Sequence, residues 1–263
     1  MGSDSNLSTA ETISTRRKGD SSLTPFFPPF FLLLAAAALA ALAGCATPAA
    51  PGEDAPAAAA PTYRVGDTWV YRAADGFRAP VRWEETREVV AIGPEGITVR
   101  VTQKGPTVDS ARTEVWSAPG RVRVGALFDD ETRRFATPLE RYEFPLVPGK
   151  TWNQLVDNLN DATGQTGQIN HFVRVGGWHD VVTPAGTFAA IEMRVLARLD
   201  DEEFWRWPTE CNYLVAWSPE VRGVVRETKD AQYRGKGSPT DGIFLIRSQH
   251  AELELVAFRP GPR

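Results

Sequence analysis

Few residues of this chain could do chemistry on their own. Its 263 residues include two cysteines and three histidines. Cys211 could act as a nucleophile if a base lay beside it, or it could be a buried and unreactive thiol. His171 and His179, with Asp180 adjacent, could contribute to a metal site or simply lie on the faces of a strand. Convergence of Cys211 with a histidine would favour a hydrolase-like enzyme.

The tryptophans offer a different kind of site. All eight of them follow residue 62, and Phe204–Pro208 places three aromatic side chains within five residues. If this segment is extended, Trp205 and Trp207 point to the same side. When exposed, they could grip an apolar ligand, a glycan or the lipid interface; when buried, they would cap the core. We take Trp205 and Trp207 as candidate ligand-binding residues.

The motifs of the common enzyme classes are missing from the sequence. It contains no G-x-S-x-G elbow, no phosphate-binding loop, no G-x-G-x-x-G, no H-E-x-x-H and no C-x-x-C. Its 29 basic and 33 acidic residues give a net charge of −4, which gives no reason to expect nucleic acid as a partner. We therefore expect no cofactor and no metal, and we favour a non-catalytic binding module over an enzyme.

The N-terminus has the pattern of a signal peptide. A positive run, Arg16–Lys18, precedes an apolar stretch whose uninterrupted part, Phe30–Ala43, is 14 residues long. A membrane-spanning helix needs ~20 residues, whereas the core of a signal peptide needs ~7–15. The stretch ends in Leu42-Ala43-Gly44-Cys45, which resembles the lipobox of bacterial lipoproteins.

This resemblance implies that the chain is cut before Cys45 and that the thiol then carries a diacylglycerol. Such lipoproteins hold two acyl chains on the glyceryl group and commonly a third, such as palmitate, on the new amine, and two or three chains anchor a protein durably. Ala46 occupies the position where the family has Asp for retention in the inner membrane. The resemblance therefore implies a location at the outer membrane, facing the periplasm.

A tether and a single domain follow the cysteine. From residue 46 to residue 61, 12 of 16 residues are Ala or Pro, and this composition buries too little surface to offset its ordering entropy. The sequence predicts three parts. They are a helical signal peptide over residues 1–44, the lipidated cysteine with a disordered tether over residues 45–61, and one β-domain over residues 62–263.

Apolar and polar residues alternate with a period of two through most of the domain. The longest run places six residues on one face: Ala189, Ile191, Met193, Val195, Ala197 and Leu199. Strands with one apolar and one polar face are typical of antiparallel sheets. Trp152–Leu159 has helical spacing instead. We predict a mainly β fold, a single antiparallel curved sheet or incomplete β-barrel with few short helices.

Four phrases of the domain resemble the TapB-like β-domain family, a set of secreted or lipidated domains of the bacterial envelope. They lie within Val65–Tyr71, Phe144–Trp152, Thr183–Phe188 and Trp217–Val225. Such domains are distantly similar to the outer-membrane lipoprotein carriers, whose curved antiparallel sheet makes an incomplete barrel around an apolar cavity. The resemblance thus implies a concave apolar site in the domain.

Together, these patterns predict a lipid-anchored envelope protein whose non-catalytic β-domain binds an apolar ligand or an envelope partner protein. The alternative is a hydrolase-like enzyme that uses Cys211 or the pair His171 and His179. A large apolar cavity would favour the first hypothesis, and convergent Cys211 and histidine side chains would favour the second.

Overall fold

The computed structural model describes residues 56–128, 131–200, 204–237 and 244–262. This part of the chain contains twelve strands and no helix, so the few short helices expected from the sequence are absent from it. No helix within these ranges is long and apolar enough to cross a membrane. The predicted signal helix lies outside the described residues. The strands are β1 (Thr68–Asp75), β2 (Val81–Gly93), β3 (Gly96–Lys104), β4 (Asp109–Ala118), β5 (Arg121–Ala126), β6 (Thr132–Glu140), β7 (Thr151–Asn160), β8 (Thr166–Thr183), β9 (Gly186–Asp200), β10 (Thr209–Ser218), β11 (Gly223–Arg234) and β12 (Leu245–Arg259).

The strands form a closed up-and-down barrel in which each strand pairs antiparallel with its neighbours in sequence. The mainly β, antiparallel prediction is confirmed, but the predicted open sheet or incomplete barrel is wrong. β1 and β12 close the barrel, with pairs that run from Thr68 opposite Arg259 to Asp75 opposite Ala251. Pairing of β1 with β12 removes the two terminal edges of the sheet, although β6 and β7 pair only over Arg133–Phe135 and Asn158–Asn160.

Alternation correctly predicts the faces of β9 from Ile191 to Leu199, where buried and more exposed residues alternate. It fails for Ala189, which is exposed, while Ala190 is buried. The cause is a bulge in β8, where one extra residue lies between Val175 and Trp178. A bulge shifts the register, and the alternation of β9 breaks opposite it.

The predicted helix over Trp152–Leu159 is wrong, because these residues lie in β7. Leu155 and Leu159 are exposed, and Asn158 is buried instead. The Asn158 side chain accepts a hydrogen bond from Arg133 Nη1 at 2.8 Å and donates one to the Gly167 carbonyl at 3.0 Å. Because these bonds satisfy its amide group, Asn158 can occupy an inward position. A polar residue at that position conceals the alternation of apolar and polar residues along β7.

The predicted disordered tether of residues 45–61 needs a correction at its C-terminal part. Ala58 is 2% exposed and forms an antiparallel bridge with Leu146 through two backbone hydrogen bonds, of 2.9 and 2.8 Å. The Pro56 carbonyl accepts a hydrogen bond from Trp178 Nε1 at 2.7 Å. The barrel therefore fixes the chain from Pro56, six residues before the predicted boundary at Thr62.

Up-and-down connectivity gives the barrel two distinct ends. At one end, which we call the tether end, β1 begins at Thr68 and β8 turns into β9 at Pro184-Ala185. Trp178, which holds Pro56, is also nearer this end of β8. At the other end, the aromatic end, β9 leads into β10 and β11 into β12. The segment Phe204–Pro208 lies at the aromatic end.

Candidate functional site

The interior of the barrel is filled by side chains, and several of them are charged. Arg87 Nε donates a hydrogen bond to Glu85 Oε1 at 2.7 Å, and Gln103 donates to Glu85 Oε2 at 2.9 Å. Glu114 accepts hydrogen bonds from Trp116 at 2.9 Å and from Arg141 at 3.1 Å. These bonds link β2 to β3, and β4 to the β6–β7 connection.

Electrostatics keep the inner carboxylates ionised. Burial raises the pKa of Glu85, but Arg87, Arg112 and the hydrogen bonds outweigh this effect and bring the pKa to about 2. Burial also raises the pKa of Glu114, and Arg141 with Arg112 brings it to about 2. Paired buried charges of this kind hold structure together, and they leave an internal cavity of only about 40 Å³. That volume has room for a few waters, not for a ligand.

Cys211 and His171 both face the interior, at 3% and 1% exposure. They lie on β10 and β8, opposite Ala197 of the intervening β9. Two strand spacings separate them, so their Cα atoms are ~10 Å apart. Burial lowers the pKa of His171 to about 4, with a smaller contribution from Arg141, so the imidazole is neutral at pH 7. The strand faces thus place both side chains inside. His171 lines the cavity of about 40 Å³, whereas Cys211 is among the residues that line the larger groove described below.

His179 does not join His171. It lies on the same strand, beyond the bulge, and is exposed. Within the described residues, no group of three or more His, Cys, Asp or Glu side chains could hold a metal ion. The histidine pair therefore does not form the metal site considered from the sequence.

The aromatic end carries exposed rings, among them both of the predicted ligand-binding residues. Trp205 is 43% exposed and Trp207 is 51% exposed. Phe204, the preceding aromatic residue, is 86% exposed, and Phe244 is 48% exposed on the adjacent β11–β12 connection. The rings extend beyond the barrel and do not cap its core.

Backbone and cation–π contacts hold these rings in place. The N–H of Trp207 donates to the carbonyl of Arg234 at 2.8 Å, and the N–H of Lys236 donates to the carbonyl of Trp205 at 2.8 Å. The Arg206 guanidinium lies 5.5 Å from the Trp205 ring, and Lys236 Nζ lies 5.1 Å from the Trp207 ring. The described parts of the two connections, residues 204–208 and 235–236, are therefore held against each other, which lowers the entropic cost of binding there.

A groove of about 660 Å³ runs across the outer face of β8 to β12. Phe172 and Leu196, opposite each other on β8 and β9, form one wall, and they are 36% and 44% exposed. Phe77, in the β1–β2 turn, lines the opposite side of the groove. Its ring stacks on His250 of β12, with the ring centroids 5.2 Å apart. Asn212 lies between these walls on β10.

The groove continues toward the aromatic end. A smaller cleft of about 300 Å³ is lined by Trp207, Tyr233 and Leu245, and it shares Arg198 and Glu210 with the groove. The exposed tryptophan thus stands at one end of a continuous surface depression. Trp205 supports it indirectly, because its ring packs edge-on against Tyr233 at 5.5 Å.

The sequence singles out the tryptophans as candidates but does not predict the groove. Its residues come from five strands and a turn, and no local pattern unites them. One signal was present, since Leu196 is an apolar residue on the polar face of β9. That residue lines the groove. Cys45, the predicted lipidation site, lies outside the described residues.

No protein-family model and no curated protein matches the chain, so the TapB-like resemblance stays a prediction. Two solved structures are similar to it. One is a protein described as exported, with a YmcC-like fold, from Bacteroides fragilis NCTC 9343; it is 12% identical, covers 77% of this chain and 99% of its own, and has a TM-score of 0.49. The other, described as a lipoprotein, is from Parabacteroides distasonis ATCC 8503; it is 11% identical, covers 78% and 100%, and has a TM-score of 0.44.

Proposed function

We propose that this chain is a lipid-anchored protein of the bacterial cell envelope. In this proposal, its barrel binds an envelope partner or an amphipathic ligand without catalysing a reaction. The observation that carries the binding role is the ordered, exposed aromatic end that joins a 660 Å³ groove on the outer face. A surface that is concave, partly aromatic and held in place has the general properties of a binding site.

The contrast between the outside and the inside of the barrel supports a binding role over a hydrolytic one. The groove is open to solvent and presents both apolar rings and polar groups. Cys211 is 3% exposed, and the cavity beside His171 holds about 40 Å³. A thiol and a base must both lie within ~3 Å of a bound substrate to react. His171 lines the small cavity and Cys211 lines the groove, so neither of these two cavities brings a substrate to both residues. The small cavity also lacks the space for the expected apolar ligand inside the barrel, so the proposal places binding on the outer face.

The anchoring role rests on the sequence Leu42-Ala43-Gly44-Cys45 after an apolar stretch of signal-peptide length. The outer membrane is the proposed location, with the barrel in the periplasm. The chain joins the barrel at the tether end, where Trp178 holds Pro56. The aromatic rings lie at the opposite end, which favours a partner other than the anchoring membrane.

Anchoring is tested by replacing Cys45 with Ser in the full-length chain. The variant should leave the membrane fraction or remain unprocessed, whereas the Cys211→Ser variant should stay anchored as the matched control. A Cys45→Ser protein that is cleaved and membrane-bound like the wild type would overturn the anchoring proposal.

Binding at the aromatic end is tested by photo-crosslinking in cells. A photoreactive phenylalanine derivative replaces Trp207, and in a second variant it replaces Val182, which is 66% exposed near the tether end. We expect adducts from position 207 and few from position 182. Equal yields from both positions, or no adduct from position 207, would contradict the proposed binding surface.

A further inference from the structure

We infer that the groove and the adjoining cleft bind a neutral, linear oligosaccharide. This inference rests on the proposed function, because it names the ligand class of the same surface. It is carried by three properties of the surface: its length across the strands, its balanced charge and the aromatic rings along it.

The length suits an extended chain. The groove crosses five neighbouring strands, β8 to β12, and four strand spacings of ~4.8 Å amount to ~19 Å. The cleft beside Trp207 adjoins this path on the side of the aromatic end, since Arg198 and Glu210 line both depressions. A depression of this form accommodates several linked rings side by side, rather than one compact molecule.

The charges of the groove cancel, and the adjoining cleft adds one arginine, Arg234. Its lining includes two arginines, Arg198 and Arg247, and two acids, Glu210 and Asp230. Between them, Asn212 adds an amide that can donate and accept. Guanidinium, carboxylate and amide groups are planar and can bind two adjacent hydroxyl groups at once. The hydroxyl groups of a neutral ligand can accept hydrogen bonds from the guanidinium groups and donate them to the carboxylates. A polyanion would instead be repelled by the two carboxylates.

Aromatic rings line the path at both ends. Trp207 is 51% exposed in the cleft, and Phe77 and Phe172 are 50% and 36% exposed in the groove. Phe77 is held by stacking on His250 at 5.2 Å and by the Arg247 guanidinium at 5.9 Å from its ring. The flat C–H face of a pyranose packs on such rings and excludes water from them, while its hydroxyl edge faces the polar groups.

Two other occupants fit less well. An acyl chain would strip water from the two arginines and two acids without offering them hydrogen bonds, and this desolvation is unfavourable. An extended peptide usually adds to a free sheet edge, and the strands that line the groove, β8 to β12, offer none because each pairs with a strand on both sides. The side chains of the outer face therefore have to make the contacts, as they do with a sugar.

The test is isothermal titration calorimetry of the barrel-bearing chain with three probes: chitotetraose, cellotetraose and maltotetraose. We expect saturable binding of at least one probe. The variants Trp207→Ala and Asn212→Ala should each weaken it at least tenfold. Phe204→Ala is the matched control, because Phe204 is an exposed aromatic residue of the same end that does not line the groove or the cleft; its affinity should equal that of the wild type.

Thermal melts verify that every variant is folded before titration. Absence of saturable heat with all three probes would overturn the oligosaccharide inference, and so would equal losses in Trp207→Ala and Phe204→Ala. Binding of a hexapeptide or of phosphatidylethanolamine vesicles in preference to the sugars would also overturn it. If crosslinks still form at position 207 in that event, the binding surface stands and only its ligand class is wrong.

Discussion

The interior of the barrel and the groove on its outer face contain the same types of charged residue, but these residues have different roles in the two places. Inside, Arg87 and Glu85 are hydrogen-bonded at 2.7 Å, and the pKa of Glu85 falls to about 2. In the groove, Arg198 and Glu210 are exposed and line open space. Burial commits the inner pair, both on β2, to each other and to neighbouring strands through the bond of Glu85 to Gln103 of β3, because an unpaired buried charge is strongly destabilising. Exposure leaves the outer pair available to a ligand.

A charge placed on the inner face of β9 should have the largest effect on stability, and it tests the difference between the interior and the outer face. Val195 is 4% exposed inside the barrel, so Val195→Asp should unfold the protein or lower its free energy of unfolding by more than ~4 kcal/mol. Arg194→Asp, on the exposed face, should change it by about 0.5 kcal/mol or less. Urea denaturation of both variants measures the difference, and equal losses would mean that β9 is buried on both faces.

The second prediction separates an inner carboxylate from an outer one. Glu114→Gln should cost roughly 3 kcal/mol, because it removes the buried carboxylate that pairs with Arg141 and Arg112. Glu210→Gln, in the groove, should leave the free energy of unfolding within about 0.5 kcal/mol. Chemical denaturation at pH 7 compares them. A loss at Glu210 as large as the loss at Glu114 would remove the distinction between the two regions.

The third prediction concerns pH. The pKa of His171 is about 4 in the folded protein, below its ordinary value of 6.5. Protonation therefore favours the unfolded chain, and stability is lost as the pH falls from 6.5 toward 4. Between pH 7 and pH 5 the loss from this residue should be about 2 kcal/mol. His171→Gln should flatten the profile and the exposed His179→Gln should not; identical profiles for the two variants would contradict the assignment.

The smallest expected effect on stability belongs to the wall of the groove. Leu196→Ser should change the free energy of unfolding by less than ~0.5 kcal/mol, because Leu196 is exposed. The same substitution should weaken ligand binding, because Leu196 lies beside Phe172 and forms one wall of the groove with it. The melting temperature checks the expected stability and a binding titration checks the expected loss of affinity, both measured on the same preparation. A large drop in stability would show that this wall is structural.

The sequence predicts the strands well where every inward residue is apolar. In β9 from Ile191 to Leu199, the period of two follows directly from burial of one face. In β7 the same rule is concealed, because Asn158 faces inward and its bonding partner Arg133 lies on another strand. Partners of this kind are set by register across the sheet, which a single strand does not reveal.

Barrel closure and the groove are hidden for the same reason. Thr68 pairs with Arg259 across most of the domain, and Phe77 comes to lie against His250. Local composition did identify Trp207 as a candidate binding residue. The groove that extends from it depends on contacts between distant parts of the chain, and only the fold reveals them.

Native mass spectrometry of the full-length protein, purified from the cells that encode it, tests the central claim most directly. The wild type should retain a bound mass, and the double variant Trp207→Ala with Arg198→Ala should lose it. A variant of the interior that stays folded, such as His171→Gln, should keep the bound mass. Loss of that mass in His171→Gln but not in the groove variant would contradict the account, because it would place the binding site inside the barrel.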